Sequence, residues 1–332
     1  MEANEARIPE FSYPNFKWIL EHFEVMKRLY LVTKVPAIEK VDFSVPIRLD
    51  YLEICDCNFT IRINNVDFQL EKFGENRYEI TSSDGIQRPH LFQDTSFKTP
   101  FEGMRHLKSV FLNGRHVKVK ELNLHTNLVD DEKFEMEVDR LKTDTECAQG
   151  LERYLVSPIR ILELFVMDPD GLKLEMVKTA KVLIITELNW RLFPEPPIFR
   201  NPITVFQDMD GSAARLAFYV LVWSGEGRTS GQIFMRTKSR EEMVKVVHEL
   251  RSRFAGKYVL EDLEDRTNMP ITKVLSIPLS NVTQLVVHGL EKTVYQFEQP
   301  FERQYVKMEA MSKDVDLREK LMENREYKFL YS

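Results

Sequence analysis

Four strand-like segments carry apolar residues at the first, fourth and sixth positions of a short window, and no other feature narrows the fold of this chain as far. Leu49, Leu52 and Ile54 form the first copy, and Val119, Leu122 and Leu124 the second. Ile159, Leu162 and Leu164 form the third, and Ala180, Leu183 and Ile185 the fourth. The ninth position holds Cys57, Asn127, Met167 and Leu188 in turn. Successive copies start about 70, 40 and 21 residues apart, so only the last interval matches the 20–29 residue period of a stacked repeat.

Helical patterns separate these strands. Pro14 opens a stretch in which Phe16, Ile19, Leu20, Phe23, Met26 and Tyr30 recur at helical steps, the signature of one amphipathic helix. Thr99-Pro100-Phe101-Glu102 supplies a capping hydroxyl, a first-turn proline and a third-position glutamate, with Met104, Leu107 and Phe111 on one face and Gly114 as the stop. Ser239 and Glu242 form a second capping box before the stripe Met243, Val246, Val247, Leu250 and Phe254, with Gly256 at the exit. Strands are expected at Gln232 to Met235, Lys273 to Ile277, Gln284 to Val287 and Tyr305 to Met308.

The apolar triplet is the core pattern of leucine-rich repeats, where it lines a concave sheet, but an ordinary mixed sheet fits these residues equally well. The expected fold class is α/β to α+β: helix–strand units forming either such a leucine-rich-repeat-like sheet or a mixed one, then a smaller α+β part. Pro194, Pro196, Pro197 and Pro202 place the boundary. The expected parts are a helical segment at 11–46, an α/β sheet region at 47–193, a proline-rich connection at 194–209, an α+β domain at 210–311 and a charged tail at 312–332.

The length of 332 residues exceeds what one core usually fills, which also argues for two parts. Lysine and arginine number 46 against 52 acidic residues, and a net charge of −6 disfavours nucleic acid as a partner. No secretory leader and no apolar run of membrane-spanning length is visible, so no membrane association is expected and the compartment is the cytosol or nucleus. Three cysteines, Cys55, Cys57 and Cys147, read as free thiols.

No pattern points to catalysis, and neither a metal nor a cofactor is expected. The histidines at 22, 90, 106, 116, 125, 248 and 288 lack the pairing of a zinc helix. Cys55-x-Cys57 lacks the two-residue gap of redox and zinc knuckles, and on a strand both thiols share one face of the core. Gly225-Glu226-Gly227-Arg228-Thr229-Ser230-Gly231 matches no phosphate-binding motif and reads as a turn before a strand. Asp208-Met209-Asp210-Gly211 lacks the remaining ligands of a calcium loop. Lys108, Arg115, His116, Lys118 and Lys120 concentrate positive charge, readable as a dock for an acidic partner or, better, as a solvated strand face.

Tyr13-Pro14-Asn15-Phe16-Lys17, Ile19-Leu20-Glu21, Lys27-Arg28-Leu29 and Pro36-Ala37-Ile38 resemble the opening of the nematode-expanded F-box C family. Trp223, Gly227-Arg228, Gly231, Phe254-Ala255-Gly256-Lys257-Tyr258 and Ser276-Ile277-Pro278-Leu279 resemble its C-terminal domain. The resemblance spans about residues 11–310 and implies an F-box substrate-recognition subunit of a cullin-based ubiquitin ligase. It implies a Skp-type adaptor as one partner, facing Pro14, Ile19, Leu20 and Phe23, and a protein substrate as the other. The alternative is a non-catalytic interaction module without ligase attachment, in which the same stripe covers the neighbouring sheet.

Overall fold

The computed structural model describes residues 13–75, 77–82, 96–128, 133–188, 197–207, 213–260, 263–264, 270–296, 299–317 and 320. The chain is of the α/β class and divides into two units, Met1–Lys142 with Gly150–Pro158, and Thr143–Gln149 with Ile159–Ser332. Among the described residues no helix is long and apolar enough to cross a membrane.

The first unit opens with α1 (Tyr13–His22), α2 (Val25–Lys34) and the short α3 (Glu39–Phe43). Where the spacing predicts one helix there are two. Glu24 stops the first and caps the second, its carboxylate accepting from the amides of Met26 and Lys27. The break changes the phase of the buried face, which becomes Leu20, Val25, Arg28 and Leu29, while Phe23 and Tyr30 turn outward.

Then follow β1 (Ile47–Cys55), β2 (Thr60–Ile63), β3 (Val66–Lys72), β4 (Tyr78–Ser82), β5 (Ser96–Phe97), α4 (Pro100–Leu112), β6 (His116–Leu124) and β7 (Glu135–Asp144). The strand order is β7-β6-β1-β2-β3-β4-β5. The chain from β1 to β5 pairs antiparallel, whereas β6 returns beside β1 in parallel. α4 keeps its sequence-coded ends: Thr99 Oγ1 accepts from the amide of Glu102 at 3.2 Å, and Gly114 takes φ +70°.

In a regular strand, positions three apart lie on opposite faces. Leu49 and Leu52 are nevertheless both buried, so β1 must change phase between them, leaving Asp50 and Tyr51 both outward of the core. Asn64 holds that change: its Oδ1 accepts from the amides of Asp50 at 2.9 Å and Tyr51 at 3.1 Å. β6 makes the same shift in step, with Leu49, Leu52 and Ile54 opposite Val119, Leu122 and Leu124. The triplet is therefore one row of core side chains repeated across neighbouring strands.

α5 (Thr145–Glu152) spans the division, its last three residues belonging to the first unit, and the second unit continues with β8 (Ile161–Val166), α6 (Glu175–Thr179), β9 (Val182–Leu188), β10 (Ile203–Phe206), α7 (Ala213–Glu226) and β11 (Gln232–Thr237). It ends with α8 (Arg240–Phe254), β12 (Lys257–Leu260), β13 (Leu263–Glu264), β14 (Pro270–Pro278), β15 (Thr283–Gln296) and β16 (Gln299–Ser312). β8, β9, β10 and β11 are parallel neighbours, and β11-β16-β15-β14-β12 continue antiparallel. The apolar run after residue 212 is helix α7, and all four expected C-terminal strands are present.

The boundary differs from the sequence reading. β9 and β10 flank the prolines yet pair in parallel, Val182 opposite Ile203 and Ile185 opposite Phe206, so that connection lies inside one sheet. The division instead falls within residues 143–158. Prolines disfavour helix and strand interiors, but nothing in that preference separates a crossover from a domain linker. Pro194, Pro196, Asp208 to Gly211 and most of the tail lie outside the described residues.

Candidate recognition surfaces

The first unit's sheet buries one face. On its other face Arg48, Asp50, Tyr51, Glu53, Lys118, Lys120, Glu121, Asn123, Arg62, Asp67, Gln69 and Glu137 are all at least partly exposed. Two open grooves cross it. One of about 600 Å³ runs over Arg48, Asp50, Lys118, Lys120, Glu137 and Asp139 to Ser157 and Pro158. The other, about 480 Å³, lies over Glu53, Asn58, Thr60, Arg62, Asp67, Gln69 and Thr81.

Ion pairs lace this face across the strands. Lys118 Nζ lies 2.9 Å from Glu137, which holds that carboxyl below its ordinary range, with His116 adding a second contact at 2.9 Å. Lys120 pairs with Asp50, and Arg62 with both Asp67 and Glu53. Tyr51 stands among them, donating to Glu53 Oε2 at 2.8 Å and accepting from Asn123 Nδ2 at 2.7 Å. Burial, and then Glu53, push its phenol up to about 12, so it remains a donor.

The positive cluster read from the sequence is therefore not a free basic patch. Lys108 is buried against Asp56 at 3.0 Å, Arg115 is buried against Asp42 at 2.5 Å, and His116, Lys118 and Lys120 have carboxylate neighbours. An acidic partner would have to displace these pairs.

The helical segment offers a second surface. Of fifteen large apolar side chains that stay exposed among the described residues, Trp18, Phe23, Tyr30, Val35 and Phe43 fall between positions 18 and 43. Of the adaptor-facing candidates, Phe23 is 44% exposed, Ile19 is half-buried, and Leu20 is fully buried and cannot meet a partner. Pro14 lies in α1. Below the helices Asp42, with no exposure, receives Arg28 Nε on one oxygen and Arg115 Nη1 on the other. Arg28 also donates to the carbonyls of Asp42, Val45 and Pro46, and Arg115 lies 4.3 Å over the Phe43 ring. Sequence reasoning missed this lock because its three members are 14 and 73 residues apart.

In the second unit the corresponding strand face is closed. Ile161, Val182, Ile184, Val205 and Phe234 join Val274, Val286, Leu290, Tyr305 and Met311 in one buried cluster. Polar groups sit within the same strands: Lys307 Nζ donates to Glu309 Oε2 at 2.6 Å, and Gln232 Nε2 to Glu309 Oε1 at 3.0 Å. His288, opposite Lys307, is pushed down to about 3 by burial first and by Lys307 second.

The glycine-rich loop follows the C-terminal end of α7, the end that repels anions. Arg228 spans it, donating to the carbonyls of Ser230, Phe199 and Asn201 and lying 4.6 Å over Trp223. It is a structural turn. Among the described residues no group of three or more histidine, cysteine or acidic side chains could hold a metal ion. The chain matches no protein-family model, no curated protein and no solved structure.

Proposed function

We propose that this chain is a non-catalytic protein receptor, an F-box-type substrate-recognition subunit of a cullin-based ubiquitin ligase. Its helical segment docks a Skp-type adaptor, and the open sheet face of the first unit takes the protein target. The observation that carries this reading is the concentration of exposed Trp18 and Tyr30 on short helices, with Phe23 in the break between them, beside a buried ionic lock. Aromatic side chains left in water on a rigid base are the usual anchors of a protein interface.

A leucine-rich-repeat-like arc belongs to the same proposal. Leu162, Leu183, Thr204 and Ile233 stand in register on four parallel strands, as do Leu164, Ile185, Phe206 and Met235. Their separations of 21, 21 and 29 residues fall in the period of such repeats. Asn201, three positions before Thr204, donates from its buried amide to the carbonyls of Val177 and Ala180, the kind of backbone bracing a polar repeat position supplies.

The second reading, an interaction module without ligase attachment, is favoured by one observation: Leu20 serves the interior of its own unit. Adaptor retention separates the two. Immobilised full-length chain should retain a purified Skp-type adaptor, and Trp18→Asp with Phe23→Asp should weaken that binding by more than about 2 kcal/mol without lowering the melting temperature. A parent chain that retains no adaptor removes the ligase role and leaves the module.

A further inference from the structure

We propose that Cys55 and Cys57 form a reversible disulfide inside the β1–β2 turn, with exposed Cys57 as the entry point for a small-molecule disulfide. Strand alternation would hold both side chains on one face, but Cys57 is not in a strand: it sits in the turn between β1 and β2. There its Sγ stands 2.6 Å from that of Cys55, which is buried at the strand end. Cys147, the third cysteine, is buried elsewhere.

The residue between the two thiols keeps them together. Asp56 is tied from two directions, by Lys108 Nζ of α4 at 3.0 Å and by the hydroxyl of Thr126. The turn closes on itself as the amide of Phe59 donates to the carbonyl of Asp56, and Phe59 takes φ +50°. A disulfide therefore requires little movement of the backbone, which is the usual obstacle to bridging nearby cysteines.

Oxidised glutathione serves as the oxidant. The Cys57 thiolate attacks one of its sulfurs, forming a mixed disulfide and expelling one glutathione thiolate. The Cys55 thiol gives its proton to that thiolate, and its sulfur then attacks Cys57 Sγ, expelling the second glutathione. The Cys57 thiol has first released its proton to water, and the second glutathione thiolate takes one from water, so two protons and two electrons leave the protein and two reduced glutathiones are formed. The hydrogen bond with Cys55 raises the Cys57 thiol above its ordinary value, so exchange should accelerate with rising pH. The turn also borders the second groove through Asn58 and Thr60, where a closed ring would stiffen the rim.

The test uses the folded full-length chain with oxidised glutathione, quenched with N-ethylmaleimide in denaturant and mapped by peptide mass. The peptide holding Cys55 and Cys57 should lose two hydrogens and take no maleimide, Cys147 should be alkylated, and dithiothreitol should restore both thiols. A Cys55→Ala chain should instead keep a glutathione adduct on Cys57. Native chain that retains glutathione on Cys57, or that alkylates at both positions after prolonged exposure, overturns the proposal even if the variant does not fold.

Discussion

The two units use the same parallel-strand row of core residues and differ in what stands between those residues. In the first unit the intervening positions are Arg48, Asp50, Glu53, Lys118, Lys120 and Asn123, and the face stays open and ion-paired. In the second they are Ile161, Val182, Ile184, Val205 and Phe234, and the face is buried. Core positions thus set the strand stacking in both, while the alternate positions decide whether the other face becomes a surface or an interior. The first unit is accordingly the place to look for a partner.

The largest effect should come from the buried ionic lock of the open unit. Asp42→Ala leaves Arg28 and Arg115 without their common carboxylate, and should cost about 3–5 kcal/mol in urea unfolding. A cost below about 1 kcal/mol would show that apolar contacts alone seat the helices.

Acid should act on the closed unit next. His288 is neutral in the fold, with its pKa pushed down to about 3. Below the ordinary histidine pKa of about 6.5 the unfolded chain binds a proton that the folded chain refuses, so stability is present above that pH and lost as pH falls towards 3. The loss from this group is on the order of 4 kcal/mol, and it should appear as the growing difference between native and His288→Leu melts from pH 7 through 5 to 4.

A matched pair of substitutions then sharpens the contrast. Val205→Lys places an unpaired ammonium in the closed face and should destabilise by more than about 3 kcal/mol. Lys118→Val removes a partly exposed ion pair from the open face and should change stability by less than about 1 kcal/mol. Equal costs would mean that both faces are interiors.

Much of the helical framework was legible because capping is local. Thr99 and Ser239 bond the amides of Glu102 and Glu242, and the stripes behind them are buried except for half-buried Phe254. The exit of α8 was read one residue late: Ala255 takes the left-handed turn at φ +50°, while a Cβ on Gly256 would stand 2.6 Å from Leu275 Cδ1 and force that side chain to shift. The core row was half visible, since Leu183 and Ile185 face Thr204 and Phe206 on β10 and only the second of these looks apolar. The ion pairs were not visible, because Lys118 meets Glu137 through strand pairing that no local pattern encodes. The broken N-terminal helix was missed although Glu24 carried the cap, because apolar spacing continued across it.

Carboxyl footprinting with a carbodiimide and a small amine on the native chain tests the distinction between the two faces most directly. Asp50, Glu53, Asp67 and Glu137 should be modified readily, while Glu163 and Glu309 stay unmodified until the chain is unfolded. Rapid modification of Glu309 and Glu163 alongside protection of Asp50 and Glu137 would contradict the account.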